Sequence, residues 1–399
     1  MPLAFFTLAI IGTIWADGPW KERLEALNPV LKFLVLPLLL YHFGQSYRGH
    51  WVLRAFVLSC ALLTMFSWVD YFEPQWRLPY DHVPGAPIKN YIDQSHVLVL
   101  CAFVLMPIAI GYFNERRFAS LALVSSLITA FLATLVFVVT SRTALVCVPV
   151  LIILLSVRHF SLRTTAKLLS AAVLIVVAVW VMSPHLRERV EGIRTEYLSY
   201  RDTNLPTSTG LRLAWWQRSL DFIAEAPIFG NGTGSTRRLF NEDAAKKTGL
   251  WAARIGNPHN QTLYVAIQWG MVGCILLYAM WFCHLMLFRG LELASWIGLV
   301  VVAQNIFSSL FNSHLFDFTE GWVYVVGVGV AGGVVRSARP AATWGEWHVH
   351  STSVDTYWRR RRWYGWQIKR MTDAELSEYF EMHMDELRRS KVVLDEPQS

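Results

Sequence analysis

The chain has 399 residues, 54% of them hydrophobic and only 16% charged, and a formal net charge of +7. A soluble chain carries about 25% charged residues, whereas here the apolar excess is gathered into runs that reach the ~20 residues needed to cross a hydrocarbon core as a helix. That excludes an ordinary soluble domain. The cysteines Cys60, Cys101, Cys147, Cys274 and Cys283 all lie inside apolar runs, so neither a disulfide framework nor a zinc pattern is present. The positive charge sits largely in short loops and the tail, where topology accounts for it without nucleic acid.

In chain order, the apolar runs predict spans at 1–16, 29–44, 51–69, 96–113, 118–139, 143–157, 165–183, 260–287, 291–311 and 319–335. The first, Met1–Ala16, has no basic leader and no small-residue cleavage site, and reads as a retained span. The fold class is therefore all-α: a polytopic integral membrane protein of ten to twelve helices with a large helical outer loop. Four regions follow: N-terminal spans over 1–183, the loop over 184–258, C-terminal spans over 259–340, and a basic tail over 341–399.

Lys and Arg in short loops set the orientation. A cytoplasmic N-terminus places Arg48, Arg116, Arg117, Arg158, Arg163, Lys167, Arg289, Arg336 and Arg339 on the cytoplasmic side. The tail joins them, carrying Arg359, Arg360, Arg361 and Arg362. Its Tyr357–Lys369 stretch suits a segment lying on anionic lipid, and Thr372 with Glu375 forms a capping box. The outer side then holds the stretch Asp70–Ser95, the turn Thr140–Arg142, the loop Pro184–Pro258 and the turn Asn312–Phe318. Within the loop, Leu213, Trp216, Leu220 and Ile223 recur at helical spacing over Leu211–Ala226, Pro227 stops that helix, and Gly230–Gly234 reads as a flexible turn.

Three residues on the outer side could carry chemistry. His259, in Asn257-Pro258-His259-Asn260-Gln261, stands where the loop enters the next span, with Pro258 expected in the first turn of a helix running on to Gly270 and Gly273. Such a His is either an interfacial side chain bonded to water or a carbonyl, or a general base with a pKa near neutrality. Arg142, in a hairpin between two spans, either snorkels to headgroups or grips phosphate oxygens with its planar fork. Arg212 opens the loop helix with Trp215 and Trp216 close behind; it is either solvated or an anion contact. The loop also carries Arg187, Arg189, Arg194, Arg201, Arg218, Arg237, Arg238 and Arg254, a density that suits a diphosphate or polyanion, although acids are interspersed. No close pair of carboxylates to chelate a metal, no Walker loop and no nucleophile elbow stand out, which leaves anion stabilisation by Arg plus one His, without metal or cofactor.

Taken together, Ser141-Arg142-Thr143, Arg212 with Trp216, Pro227-Ile228-Phe229-Gly230-Asn231-Gly232, and His259-Asn260 followed nine residues later by Gly270-Met271-Val272-Gly273 resemble the O-antigen ligase and polymerase superfamily over residues 90–335. The chain looks most like its lipopolysaccharide O-antigen ligases. That resemblance implies a metal-independent, inverting glycosyltransferase of the GT-C kind in the bacterial inner membrane, with cytoplasmic termini and a periplasmic active site. The implied donor is a polysaccharide on undecaprenyl diphosphate and the implied acceptor a sugar of the lipid A–core oligosaccharide, both held in membrane lipid. By the same resemblance Arg142 and Arg212 would hold the diphosphate, and His259 would act on the acceptor hydroxyl or contact the diphosphate as a cation. Ser141, Asn260, Trp216 and Arg218 would add donor contacts. The rivals that share the donor are O-antigen polymerase and protein O-oligosaccharyltransferase; a lipid-linked saccharide transporter would share the membrane architecture without the chemistry.

Overall fold

A computed structural model describes residues 1–46, 48–73, 75, 83–87, 90–139, 141–182, 184–203 and 207–337. The tail beyond, with the Thr372 cap and the Tyr357–Lys369 segment, lies outside the described residues, as does Thr140. Each expected span has a helix beneath it. In chain order these are α1 (Pro2–Ile11), α2 (Trp20–Glu25), α3 (Asn28–Leu31), α4 (Val35–Gln45), α5 (Gly49–Phe72), α6 (Tyr91–Asn114), α7 (Phe118–Phe137), α8 (Arg142–His159) and α9 (Leu162–Met182). The loop supplies α10 (Pro184–Thr203), α11 (Ser208–Glu225) and α12 (Ser235–Ala244), and α13 (Gln261–Leu287), α14 (Leu293–Ser308) and α15 (Phe318–Ser337) complete the order.

Among the described residues, seven helical stretches are long and apolar enough to cross a bilayer: Trp20–Gln45, Gly49–Phe72, Tyr91–Asn114, Phe118–Phe137, Arg142–His159, Gln261–Leu287 and Phe318–Ser337. The protein is thus an all-α, multi-pass membrane protein. The expected first span is shorter than the sequence suggests. α1 stops at Gly12, and ten residues rise only about 15 Å. It packs instead on α13, with Phe5 wedged edge-on between Phe33 and Trp269 at 5.7 and 5.2 Å. α15 lies close against α4, because Gly329, Gly332 and Gly333 leave room for Leu39, Leu40 and Phe43. Small residues of this kind let helices approach in lipid, where no hydrophobic drive joins them.

The long loop is more ordered than its sequence reading. The expected helix over Leu211–Ala226 is α11, started by the Thr207 hydroxyl on the Gly210 N–H (3.1 Å) and ended just before Pro227. Two further helices, α10 and α12, flank it; their many charged residues mask the pattern in sequence.

The Gly230–Gly234 stretch is a fastening rather than a flexible turn. α13 breaks at Gly270 (φ 56°, ψ −149°), which frees backbone groups on both sides. The segment after Pro227 takes them up. Asn231 N–H donates to Ile267 O (2.9 Å) and Gly232 N–H to Gln268 O (2.8 Å), while Met271 and Val272 N–H donate to the Pro227 and Ile228 carbonyls (2.9 and 3.2 Å). Gly230 and Gly270 sit against each other's backbone, where a Cβ on either would overlap main-chain atoms. Thr233 then ties the segment to α1, its N–H bonding Gly12 O (2.9 Å) and its hydroxyl Ala9 O (2.6 Å).

Candidate active site

The first turns of α6, α8 and α11 meet with α10 around an open cavity of about 160 Å³ lined by Tyr91, Ser141, Arg142, Thr143, Glu196 and Arg212, among others. Arg142 and Arg212, 70 positions apart in sequence, therefore share one cavity wall. The N-terminal end of α8 opens on it without a side-chain bond from Ser141, and the helix dipole adds positive potential there.

The two arginines differ in what they hold. Arg142 makes a two-pronged pair with Glu196 of α10, Nη1 to Oε2 at 2.9 Å and Nη2 to Oε1 at 2.7 Å. Thr209 closes the same carboxylate from α11, through its N–H (2.9 Å) and its hydroxyl (2.6 Å). The Arg142 and Thr209 bonds hold the Glu196 carboxyl down at about 2, against the smaller opposing cost of burial. Arg142 thus neither snorkels nor stands open: a carboxylate occupies the fork that would match phosphate oxygens. Arg212, half-buried, makes no hydrogen bond among the described residues. Burial pushes its guanidinium down from the usual range, and the nearby Arg142 charge adds to that. Among the described residues that line the cavity, two guanidiniums outnumber one carboxylate, a balance that favours an anion.

His259 stands on the far side of Arg212 and feels its charge. It has φ +53°, a conformation uncommon for a residue with a side chain. The surroundings hold it there. Its N–H donates to Asn257 Oδ1 (2.9 Å), which also accepts from the Ser313 hydroxyl (2.6 Å). Its ring stacks on Trp215, centroids 5.2 Å apart. Its Nδ1 meets Asn312 Oδ1 at 3.1 Å. Burial, with a smaller push from Arg212, lowers the imidazole below its usual range against the Asn312 bond, so it is neutral at pH 7.

The remaining expected contacts fall into place differently. Ser141 does line the cavity, buried and bonded to Thr143 Oγ1 at 2.8 Å. Asn260 is the N-cap of α13; its Oδ1 accepts from Leu263 N–H (3.1 Å) and its Nδ2 donates to Leu310 O (3.0 Å). These bonds hold the Asn260 amide at the helix start, and it is not among the residues that line the cavity. Pro258 accordingly precedes the helix instead of opening it, and its carbonyl takes the Trp216 indole N–H (3.1 Å). Trp216 positions the His259 turn, with no polar group left for a ligand. Arg218 is corrected most plainly. Only 1% exposed, it donates to the Ala253 and Phe240 carbonyls (3.0 and 2.6 Å) and pairs with Asp243 at 2.6 Å. It is a strut inside the loop. Among the described residues no three His, Cys, Asp or Glu side chains gather to hold a metal ion.

Sequence reasoning missed Glu196, Trp215 as the stacking partner, and Asn312. Asn312 had a visible signal: Asn312-Ser313-His314 is a polar triplet between apolar runs, on the side assigned to His259. Glu196 had none, being one acid among several in the loop.

Fold and site together define a multi-pass membrane protein with a cationic cavity beside a constrained, neutral histidine. Residues 127–278, a stretch that contains all three of Arg142, Arg212 and His259, match the family model described as O-antigen ligase, which supports the resemblance to the O-antigen ligase and polymerase superfamily. The chain is also 25% identical over 284 residues to an uncharacterized protein of Haemophilus influenzae, covering 68% of this chain and 67% of that protein. Members of that family are glycosyltransferase-like enzymes, so the match supports reading the chain as an enzyme of that kind.

Proposed function

We propose that the protein is an O-antigen ligase, a metal-independent inverting glycosyltransferase that moves a polysaccharide from undecaprenyl diphosphate to a lipid A–core sugar on the periplasmic face of the inner membrane. The observation that carries this reading is the meeting of Arg142, Arg212 and the α8 N-terminus on one cavity, with neutral His259 in electrostatic reach of Arg212. A diphosphate matches the excess positive charge. Arg212 is ready to receive it, and Arg142 can exchange the Glu196 carboxylate for phosphate oxygens, since the fork fits both.

In the reaction the acceptor hydroxyl oxygen attacks the donor sugar C1 opposite the diphosphate. The new C1–O bond forms as the old one breaks, and the anomeric centre inverts. The bond electrons leave with undecaprenyl diphosphate, whose growing charge the arginines stabilise, each worth about 3 kcal/mol in barrier. The hydroxyl proton passes to His259. A neutral imidazole can take it, which favours the base over a cationic diphosphate contact; its contribution is roughly a hundredfold or more.

The test is transfer from lipid diphosphate donor to lipid A–core by purified protein. His259→Ala and Arg212→Ala should each lower the rate about a hundredfold or more while the protein still inserts and accumulates, with chelator having no effect on the wild type. Normal transfer by both variants would remove the site. In cells, loss of the gene should leave full-length polymer on the lipid carrier, unattached to core. Shortened polymer instead would make the protein a polymerase.

A further inference from the structure

Behind His259 lies a buried polar assembly whose Asn312, His314 and His96 belong to none of the motifs that carry the resemblance. Asn312, in the turn between α14 and α15, is 5% exposed and His314 1% exposed. Asn312 Oδ1 faces His259 Nδ1 at 3.1 Å, and its Nδ2 faces His314 Nε2 at 3.0 Å. The His314 ring stands edge-on to that of His96 on α6, centroids 4.7 Å apart, and His96 Nε2 bonds Thr143 Oγ1 at 3.0 Å in the first turn of α8. The assembly thus runs under the cavity from the Arg142 turn to His259.

The direction of these bonds matters for a base. An amide oxygen has no hydrogen to give, so the Asn312 contact requires the hydrogen on His259 Nδ1 and leaves Nε2 with its lone pair. The reversed amide would put the hydrogen on Nε2 and remove the base. His314 matches the first arrangement in its Nδ1–H form, whose Nε2 accepts the Asn312 N–H, whereas its Nε2–H form would donate to the oxygen of the reversed amide. We propose that Asn312, oriented by His314, is a positioning residue that fixes the His259 tautomer so that Nε2 is free for the acceptor hydroxyl. This rests on the assignment of His259 as the base. The titratable or charged groups facing His259 among the described residues are Arg212 from α11 and His314 from the same turn as Asn312.

The test uses full-length protein in nanodiscs with ¹⁵N-labelled histidine. The chain has 12 histidines, and the His259 ring signals are those lost in His259→Gln. Wild type should show the Nδ1–H tautomer. Asn312→Leu should release it toward Nε2–H and lower kcat about tenfold or more, with donor KM little changed. Asn312→Asp, nearly the same shape, should keep Nδ1–H but raise the His259 midpoint by about one to three pH units, because a carboxylate at that place favours imidazolium. The acid limb of its rate profile should move up by the same amount. Wild type carrying Nε2–H, or a midpoint unmoved in Asn312→Asp, would overturn the inference, and the Asp variant decides alone if Asn312→Leu does not accumulate. The ring measurements need no turnover. An inference that fails with His259→Ala still inactive is separate from a normal His259→Ala rate, which defeats the base assignment itself.

Discussion

Two regions share the residues of the family signature and use them in opposite ways. At the fastening, the backbone around Gly230–Gly232 takes up the groups on both sides of Gly270, closing the break in α13. At the cavity, Arg212 makes no hydrogen bond among the described residues, Arg142 is paired with Glu196 of another helix, and His259 is held at a positive φ. Saturated groups stabilise; unsaturated or strained ones are the groups that the proposed function gives to the ligand. A motif residue is therefore not a ligand contact by membership alone. Arg212 and Arg218 make the point on a single helix, six residues apart, one open to the cavity and the other a buried strut.

The contrast can be broken by substitution. The largest effect belongs to the fastening: Gly270→Ala puts a Cβ into the Ile228 carbonyl at a backbone conformation that only glycine adopts readily. Folded protein should fall several-fold in membrane yield and in detergent-stable fraction. Normal accumulation of this variant would mean the fastening is not a structural requirement. Next comes Arg142→Lys. It keeps charge and loses the two-pronged grip, so transfer should drop about tenfold or more with little change in thermal stability. Near-normal turnover would reduce Arg142 to an anchor for its turn and for Glu196. The smallest catalytic effect is expected at Arg218→Met, which leaves two carbonyls without their donor and Asp243 with Lys247 alone, and should cost about 1–3 kcal/mol of stability. The kcat of the surviving protein should stay near wild type; a kcat loss on the scale of Arg212→Ala would erase the distinction between them.

The pH dependence sharpens the cavity side. The Glu196 carboxyl lies near 2, so the Arg142 pair is intact throughout the neutral range and contributes no titration there. His259, pushed below its usual 6.5, stays neutral until the pH falls further. The rate should therefore be flat through neutrality and decline only on the acid side, below about 6.5. A decline that begins above 7 would point to a different group.

Sequence alone determined the membrane class and the order of spans, because burial in lipid demands long apolar runs that composition reveals directly. It also picked out α11 to within three residues at its start and one at its end, since an amphipathic face leaves a 3.6-residue period. α10 and α12 stayed hidden, being rich in charge at spacings that a membrane reading ignores. Arg142, Arg212 and His259 were legible as candidates from residue type and motif, but not which of them stood ready. That depends on contacts between distant segments: Glu196 on Arg142, Asn312 behind His259, Asp243 on Arg218. Hydrogen-bond saturation is a property of three-dimensional neighbours, and only the tertiary structure could decide which motif residues were already satisfied and which were left for a ligand.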